Sequence, residues 1–359
     1  MKNRRSFLAG MLAAGLCPKP TWADAGSPKF LTAARMSDGG HALVGLGGKG
    51  AITFRIDLPG RGHAAAAHPN RPEAIAFARR PGTFAIILDC LSGQPVNLVE
   101  APPNRHFCGH GAYSADGELL FTTENDFSRS LGVVGVWDAS KGYVRIGEMS
   151  SGGVGPHDMQ LMADGQTLVV ANGGIETHPD SGRAKLNLPT MRPNLSYMDP
   201  LGRVTDQIEL EPEYRRNSIR HLAIGPDSTV AFALQWQGNR SQRPPLLGIH
   251  RRGIAERLLA APSDDHGRMQ GYAGSVAVSG DRTKIAITSP RGGVLQIFDV
   301  AGGSYLGQLH STDVCGICPS GTGFVFTTGT GLVVELNGLS EAWRVRHACN
   351  WDNHLIHIA

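Results

Sequence analysis

Histidines recur at matching places in a repeated stretch of this sequence, each at the start of a short apolar segment. They are His110, His157, His221 and His354. Imidazole nitrogens are common ligands of zinc, copper and iron, so four such rings at one place could hold a transition metal. The same residues could instead line a water-filled channel in which their nitrogens bond to water. The pattern leaves both interpretations open.

Further polar residues follow the second segment of several repeat copies and would face the same place. Glu124 and Asp126 carry carboxylates that could add to a metal site, whereas Arg220 and Arg291 suit a bound carboxylate or phosphate. We therefore predict a ligand-binding set beside the four metal ligands. Its members are Glu124, Asn125, Asp126, Asn172, His178, Arg220, Gln235 and Arg291.

The element that must position these residues is a repeated hairpin: a short apolar strand, a turn rich in Gly, Asp and Ser, and a more hydrophobic strand. Clear copies begin at His110, His157, His221 and Ser275, and weaker copies begin at Ala74 and Cys315. The Asp-Gly and Ser-Gly pairs supply the positive φ angles of tight turns. Because the copies recur roughly every 35 to 65 residues, the sequence predicts an all-β, seven-bladed β-propeller of four-stranded antiparallel blades. An open β-sandwich is the alternative fold.

The two ends of the sequence predict how the ring closes. Residues 354–358 read as an innermost strand with no partner after it, and residues 30–35, 41–46 and 52–58 read as three outer strands without an inner one. Joining them completes a seventh blade and leaves no sheet edge exposed. The first strands of all blades then start at one mouth of the central channel, where the four histidines converge. Ser275 and Cys315 take equivalent positions, and the copy at Ala74 offers no polar residue.

The first 25 residues read as an export signal. Arg4 and Arg5 directly precede an apolar run, residues 7–16, that is too short to span a bilayer, which is typical of twin-arginine signals. Small residues place cleavage after Ala25, with Ala23 as the alternative, so residues 26–359 would form a soluble periplasmic propeller domain without a membrane span. A lipid anchor at Cys17 is the weaker alternative, because Leu16 stands where a small residue is expected. Export of folded cargo raises the expectation of a bound ligand.

Composition and motifs exclude several classes of function. The net charge is only +3 and the basic pairs are scattered, which argues against nucleic acid as a partner. Residues 45–50 spell a dinucleotide-binding fingerprint, but a strand follows where a helix is required. The sequence contains no G-x-S-x-G, H-E-x-x-H or Walker motif, so no catalytic residue is assigned.

Five cysteines remain after the predicted cleavage, an odd number for an oxidising compartment. They are Cys90, Cys108, Cys315, Cys318 and Cys349, and their pairing stays open. The Cys315 and Cys318 pair has the spacing of a redox motif but lies on a predicted strand, which favours a structural role.

Several longer motifs support a resemblance to a known family. They are residues 109–111, 123–126, 155–157, 171–188, 218–222, 289–292 and 351–354, and together they span nearly all of the mature chain. With these motifs the sequence resembles the exported bacterial propellers of domain-of-unknown-function family 1513 (DUF1513), related to the YVTN-type and quinoprotein-like repeats. The resemblance implies a seven-bladed propeller, often encoded beside periplasmic iron-acquisition proteins, and implies no established activity. A quinone cofactor signature is absent from the sequence.

Three hypotheses about function follow. The first is a periplasmic binding or accessory protein in the handling of iron or another metal, with iron, copper or zinc in a histidine site. Its partners would be periplasmic iron-uptake proteins, a small anion or a metal-chelate. The second is a metal-dependent enzyme, an oxidoreductase or a propeller-type lyase or lactonase, with the metal as Lewis acid and a histidine as base. The third is a platform for protein interaction.

Overall fold

The computed structural model describes residues 19–79 and 83–358. Seven four-stranded antiparallel sheets form a closed ring, which confirms the predicted seven-bladed β-propeller. Blade 1 contains β1 (Phe30–Met36), β2 (His41–Leu46), β3 (Ile52–Leu58) and the last strand of the chain, β28 (Cys349–His357). Blade 2 contains β4 (Gly62–Ala67), β5 (Glu73–Ala78), β6 (Phe84–Asp89) and β7 (Gln94–Glu100). Blade 3 contains β8 (Arg105–Tyr113), β9 (Leu119–Asp126), β10 (Leu131–Asp138) and β11 (Val144–Ser150).

The remaining blades follow in chain order. Blade 4 contains β12 (Pro156–Leu161), β13 (Leu168–Asn172), β14 (Asn194–Met198) and β15 (Val204–Glu209). Blade 5 contains β16 (Asn217–Ile224), β17 (Val230–Trp236), β18 (Leu247–Arg251) and β19 (Ile254–Leu259). Blade 6 contains β20 (Ser275–Val278), β21 (Lys284–Ser289), β22 (Val294–Asp299) and β23 (Tyr305–His310). Blade 7 contains β24 (Val314–Ser320), β25 (Gly323–Thr328), β26 (Leu332–Asn337) and β27 (Ser340–Arg346).

Helical segments are short and lie between strands. The α-helix α1 spans Ser263–Arg268, between blades 5 and 6. Single 3₁₀ turns span Pro179–Ser181, Leu188–Thr190, Pro212–Tyr214, Pro226–Ser228 and Arg240–Gln242. The first two of these lie in the long connection between β13 and β14, and residues of this connection line a cavity at the channel mouth.

The ring closes as the sequence predicts. Strand β28 pairs antiparallel with β1, with Phe30 opposite His357 and Met36 opposite Cys349. The innermost strand of blade 1 therefore comes from the end of the chain, and its three outer strands come from the beginning. Closure of this kind satisfies strand edges that would otherwise be free to pair with another molecule.

Burial varies across each blade because the middle strands are covered on both faces by neighbouring blades. Residues 230–234 of β17 are all buried, and the sequence there is a continuous apolar run. The outermost strand of blade 3, β11, is instead largely exposed or half-buried. The largest fully buried side chains are Tyr197, Phe77, Phe232, Phe298 and Phe324, which fill the space between blades.

One predicted repeat copy is wrong by one strand. The segment that begins at Ala74 is β5, the second strand of blade 2, and the first strand is β4. After Gly62 and His63, this strand contains only alanine, so it lacks the bulky apolar residues that marked the other copies. Small residues fit here because inner strands approach one another around the channel axis. The inference that this blade offers no polar residue is wrong for the same reason.

Six of the seven innermost strands of the described chain carry a β-bulge at their pairing with the second strand. Register shifts occur in β4 between residues 62 and 65, in β8 between 107 and 111, in β12 between 156 and 158, in β16 between 219 and 222, in β24 between 314 and 317, and in β28 between 351 and 355. A bulge leaves residues outside the ladder and redirects their side chains. One histidine lies inside each of five of these bulges: His63, His110, His157, His221 and His354.

The predicted twin-arginine motif at Arg4 and Arg5 lies outside the described residues. Of the residues assigned to the signal, Trp22 packs against the core between blades 1 and 2 and donates a hydrogen bond from Nε1 to the His68 oxygen at 2.9 Å. The boundary after Ala25 stays a prediction. In the part of the chain that the structure describes, no helix combines the length and the apolar character needed to cross a membrane.

Candidate metal centre

Five histidine rings meet in the central channel. His110 lies among the other four, with ring centroids 5.1 Å from His63, 5.0 Å from His157, 5.5 Å from His221 and 4.7 Å from His354. The outer rings also contact one another, at 4.6 Å between His63 and His354 and at 4.8 Å between His157 and His221. We call these five residues the histidine cluster. The structure thus brings together all four residues that the sequence predicts as metal ligands.

His63 is the member that the sequence analysis missed, because its strand was not recognised. The ring fits close to the backbone of blade 3, where Gly109 adopts a φ of +99°. A Cβ atom at Gly109 would lie 2.4 Å from His63 Cδ2, so only glycine allows this approach. Gly109 therefore leaves space for the imidazole of His63, and the next residue contributes the imidazole of His110.

Two overlapping groups of three histidines could each hold a metal ion. One is His63, His110 and His157, and the other is His110, His221 and His354; in each, one ligand atom per residue lies within 4.8 Å of the others. Buried ring nitrogens in the cluster lack a hydrogen-bond partner, namely His110 Nε2, His354 Nε2 and His63 Nδ1. An unsatisfied buried polar atom is costly, and metal coordination would satisfy these atoms.

Asp158 orients the central ring. Its Oδ1 lies 3.3 Å from His110 Nδ1, and its two oxygens also accept backbone hydrogen bonds from Met159 and Leu222 at 2.8 and 2.9 Å. A carboxylate at Nδ1 keeps the proton on that nitrogen and leaves Nε2 as the coordinating atom, as in carboxylate-histidine-metal sites. Asp158 directly follows His157, and this adjacency was the only signal in the sequence.

His157 is a weaker candidate ligand than the other rings. Arg220 donates a hydrogen bond from its guanidinium to His157 Nδ1 over 3.2 Å. Since arginine only donates, a neutral His157 ring carries its proton on Nε2 and offers no free lone pair there. This contact favours the group His110, His221 and His354 as the metal site.

Four rings of the cluster, His63, His157, His221 and His354, are held in the neutral form that binds metals. Burial, reinforced by neighbouring positive charge, lowers the pKa of His63, His157 and His354 well below the usual range. Burial and the His110 charge lower the pKa of His221 to about 3. Burial would raise the pKa of Asp158, but the facing His110 more than offsets it and keeps the carboxyl pKa below its ordinary value. At neutral pH, those four rings are therefore uncharged beside an ionised carboxylate.

These shifts predict an acid-sensitive fold in the metal-free protein. The unfolded histidines take up protons near pH 6.5 while the folded ones do so only at lower pH, so the unfolded state binds more protons in between. Stability is then fully present above about pH 6.5 and falls by up to about 1.4 kcal/mol per pH unit for each such histidine. Urea unfolding at pH 7.5, 6.0 and 5.0 measures this slope, and His63→Gln should reduce it. A stability that stays flat from pH 7.5 to 5.0 would contradict the expectation.

The cluster separates two cavities of different character. One, of about 270 Å³, opens beside His63 and His157, and we call it the cationic funnel because Arg79, Arg183, Lys185 and Arg220 line it. The other, of about 490 Å³, is lined mainly by apolar residues of the innermost strands. His221 borders both cavities. A ligand in the funnel would therefore reach the cluster from its half-buried side.

Some of the predicted ligand-binding residues belong to the funnel. Asn125, Arg220 and Gln235 line it, and the Arg291 guanidinium stacks over Tyr272, another lining residue, at 4.2 Å from the ring centroid. His178 instead caps a 3₁₀ turn, where its Nδ1 accepts a hydrogen bond from the Asp180 amide at 3.2 Å.

The other predicted residues are held inside the blades. Glu124 is fully buried and receives two hydrogen bonds from Arg145, at 2.6 and 3.0 Å. Asp126 pairs with Arg129 at 2.7 Å, and Asn172 bonds to Asn194 and Ser196 in its own blade and to Ser151 in the connection that precedes it. Among the described residues that line the cationic funnel, none is Glu124, Asp126 or Asn172. Sequence position had placed the two carboxylates near the metal, and the structure places them with arginines.

We therefore expect Glu124→Ala to unfold the protein more easily without changing its metal site. Removal of the buried carboxylate leaves the half-buried Arg145 guanidinium with the exposed Glu148 as its remaining ion-pair partner, which costs about 1–3 kcal/mol. Urea denaturation measures the loss, and metal content is measured on the folded fraction. Glu341→Ala, which breaks an exposed pair with Arg344, is the matched control and should change little. Reduced metal content with unchanged stability would instead make Glu124 a ligand.

Cys90, Cys315, Cys318 and Cys349 form no disulfide bond in the described chain. Burial raises the pKa of Cys90 to about 12 and that of Cys349 to about 11, and it also raises the pKa values of Cys315 and Cys318. The Cys318 thiol donates to the Leu355 oxygen at 2.7 Å. These thiols are protonated at neutral pH, which agrees with a structural role for Cys315 and Cys318. Cys108 differs in being half-buried, and it lines the funnel.

Comparison with known proteins supports the fold and the family. The chain is similar over 86% of its length to Kuenenia stuttgartiensis hydrazine synthase, covering 90% of that chain with a TM-score of 0.60 and 13% identity. So low an identity shows a shared fold alone, and 940 chains of solved structures match the chain. No curated protein matches it. The sequence model of the family described as "Protein of unknown function (DUF1513)" matches residues 56–358. The chain belongs to the DUF1513 family.

Proposed function

We propose that this protein is a periplasmic binding or accessory protein in the handling of iron or another transition metal, and that it holds the metal in the histidine cluster. The observation that supports the proposal is the pair of buried, unpartnered nitrogens, His110 Nε2 and His354 Nε2, in one three-histidine group. Asp158 adds a second feature of metal sites by fixing the proton on His110 Nδ1.

His110, His221 and His354 would supply the ligands. Metal-nitrogen bonds of 2.0–2.1 Å place two ligand nitrogens at most about 4.2 Å apart. The three ligand atoms lie within 4.8 Å of one another, so only small movements of the rings would close the site around an ion. A set made of imidazoles suits zinc, copper or iron, and not calcium or magnesium, which prefer oxygen ligands.

The test begins with the exported protein, purified from the periplasm without an affinity tag or chelator. Mass spectrometry should find near-stoichiometric iron, copper or zinc. Titration of the stripped protein with the same metal should raise its stability, by about 2.7 kcal/mol when free metal is 100 times the dissociation constant. A purified protein that carries no metal and binds none on titration would remove the proposal.

Export has its own test. The double variant Arg4→Lys, Arg5→Lys should leave the protein in the cytoplasm, because twin-arginine signals depend on both arginines. Cell fractionation and immunoblotting measure the distribution. A variant found in the periplasm at the wild-type level would remove the proposed export route.

A second candidate is a metal-dependent enzyme, favoured by the funnel beside the cluster. Catalytic zinc sites use three protein ligands and keep one position open for water or substrate. X-ray absorption spectroscopy of the loaded protein separates the two functions. Three coordinated imidazole rings with a fourth position left open favour catalysis, whereas four rings, with His63 as the added ligand, favour a binding role.

A further inference from the structure

The cationic funnel has a one-sided charge. Its described lining carries four cations, Arg79, Arg183, Lys185 and Arg220, and no aspartate or glutamate. Asn125, Gln235, Tyr272 and Asn353 add uncharged polar groups. Such a lining concentrates anions at the channel mouth and repels free metal cations.

Positive charges lie close together around the funnel. Arg61 and Arg79 share the single buried carboxylate of Asp352, at 2.6 and 2.8 Å. Burial, with the charges of Arg220 and Arg291, lowers the pKa of Lys185. Three cations from three separate segments are therefore close enough to disfavour one another. A bound anion would relieve that repulsion.

A preorganised loop carries two of these cations. Residues 173–187 leave the end of β13, and Asn187 ties the two arms of the loop together. Its Oδ1 accepts from the Glu176 amide at 2.8 Å, and its Nδ2 donates to the Gly174 oxygen at 2.9 Å. Lys185 then bonds to Gln237 of the neighbouring blade. The backbone of this loop is therefore fixed before a ligand binds, which reduces the entropy cost of binding.

We propose that the cationic funnel binds a small anion with two or more carboxylate or phosphate groups. The guanidinium group of arginine can donate two parallel hydrogen bonds to a carboxylate or to a phosphate. The side-chain amides of the funnel and the Tyr272 hydroxyl would orient the rest of the ligand. The volume of about 270 Å³ is near the lower end of the range for small-molecule sites. The inference extends beyond the proposed metal site, because it uses other residues and does not need the metal.

Calorimetric titration at low salt tests the inference, with citrate and pyrophosphate as probes on metal-free protein. The double variant Arg183→Gln, Lys185→Gln should bind the better probe at least tenfold more weakly. The control Arg203→Gln, Arg344→Gln removes two equally charged but exposed side chains and should stay within twofold of wild type. Tighter binding of citrate would identify a carboxylate ligand, and tighter binding of pyrophosphate a phosphorylated one.

Two results would overturn the inference: no binding of either probe to the wild-type protein, or equal binding by the funnel variant. Its failure is distinguishable from failure of the metal site. The variant His110→Ala, His354→Ala should lose metal yet retain the anion, whereas the funnel variant should retain metal. Anion binding that persists in a protein unable to bind any metal would support the inference while removing the proposed metal function.

Discussion

His110→Ala is expected to abolish metal binding while the propeller stays folded. Both candidate three-histidine groups contain His110, so its loss leaves neither group complete. The residue lies in a β-bulge, outside the ladder of β8 and β9, so its removal breaks no strand pairing. The metal-to-protein ratio after titration measures the effect, and circular dichroism verifies the fold.

A second variant and a control make this result specific. His110→Gln fills more of the same space without an imidazole and should lose metal equally. His310→Ala removes an exposed histidine on β23 and should bind metal like wild type. Retention of the full metal ratio by both His110 variants would show that the cluster is a channel lining.

Asp158→Asn should weaken metal binding about 10–100-fold, the usual effect of removing a carboxylate that orients a ligand histidine. The neutral amide no longer holds the proton on His110 Nδ1 by charge. Competition with a chromophoric chelator at pH 7.5 measures the affinity of the folded protein, a quantity that a purely structural role would leave unchanged.

The matched control is Asp164→Asn, in a turn of the same blade. Asp164 also accepts two backbone amides, from Gln166 and Thr167, but it faces no histidine. This variant should lose some stability and keep its metal affinity. Equal affinities for the two variants and wild type would rule out Asp158 as the residue that positions His110.

Much of the fold could be predicted because the repeat has strong local signals. Turns with Asp-Gly or Ser-Gly in blades 3, 4, 6 and 7, and a Gly-Pro-Asp-Ser turn in blade 5, marked the first two strands of these blades together with the apolar runs that follow. The unpartnered strand at the end of the chain identified ring closure. The first strand of blade 2 was missed because its run of alanines carries no hydrophobic pattern, although small residues suit a crowded inner strand.

The sequence predicted only those site residues that occupy equivalent positions in the repeat. Register placed four histidines correctly, and the missed strand hid His63. Alternation along β9 explains the error in the polar set: neighbouring side chains point to opposite faces, so Asn125 reaches the funnel while Glu124 faces Arg145. Arg183 and Lys185 lie in a loop that has no counterpart in other blades, so no repeat argument could assign them.

Anomalous diffraction locates the metal directly. Crystals of the protein loaded with zinc, measured above and below the zinc absorption edge, should show one strong peak in the channel. We expect that peak about 2.0–2.1 Å from His110 Nε2 and His354 Nε2, with His221 as a further ligand. A channel without any anomalous peak, in a crystal whose protein is fully loaded, would contradict a metal centre built from the histidine cluster.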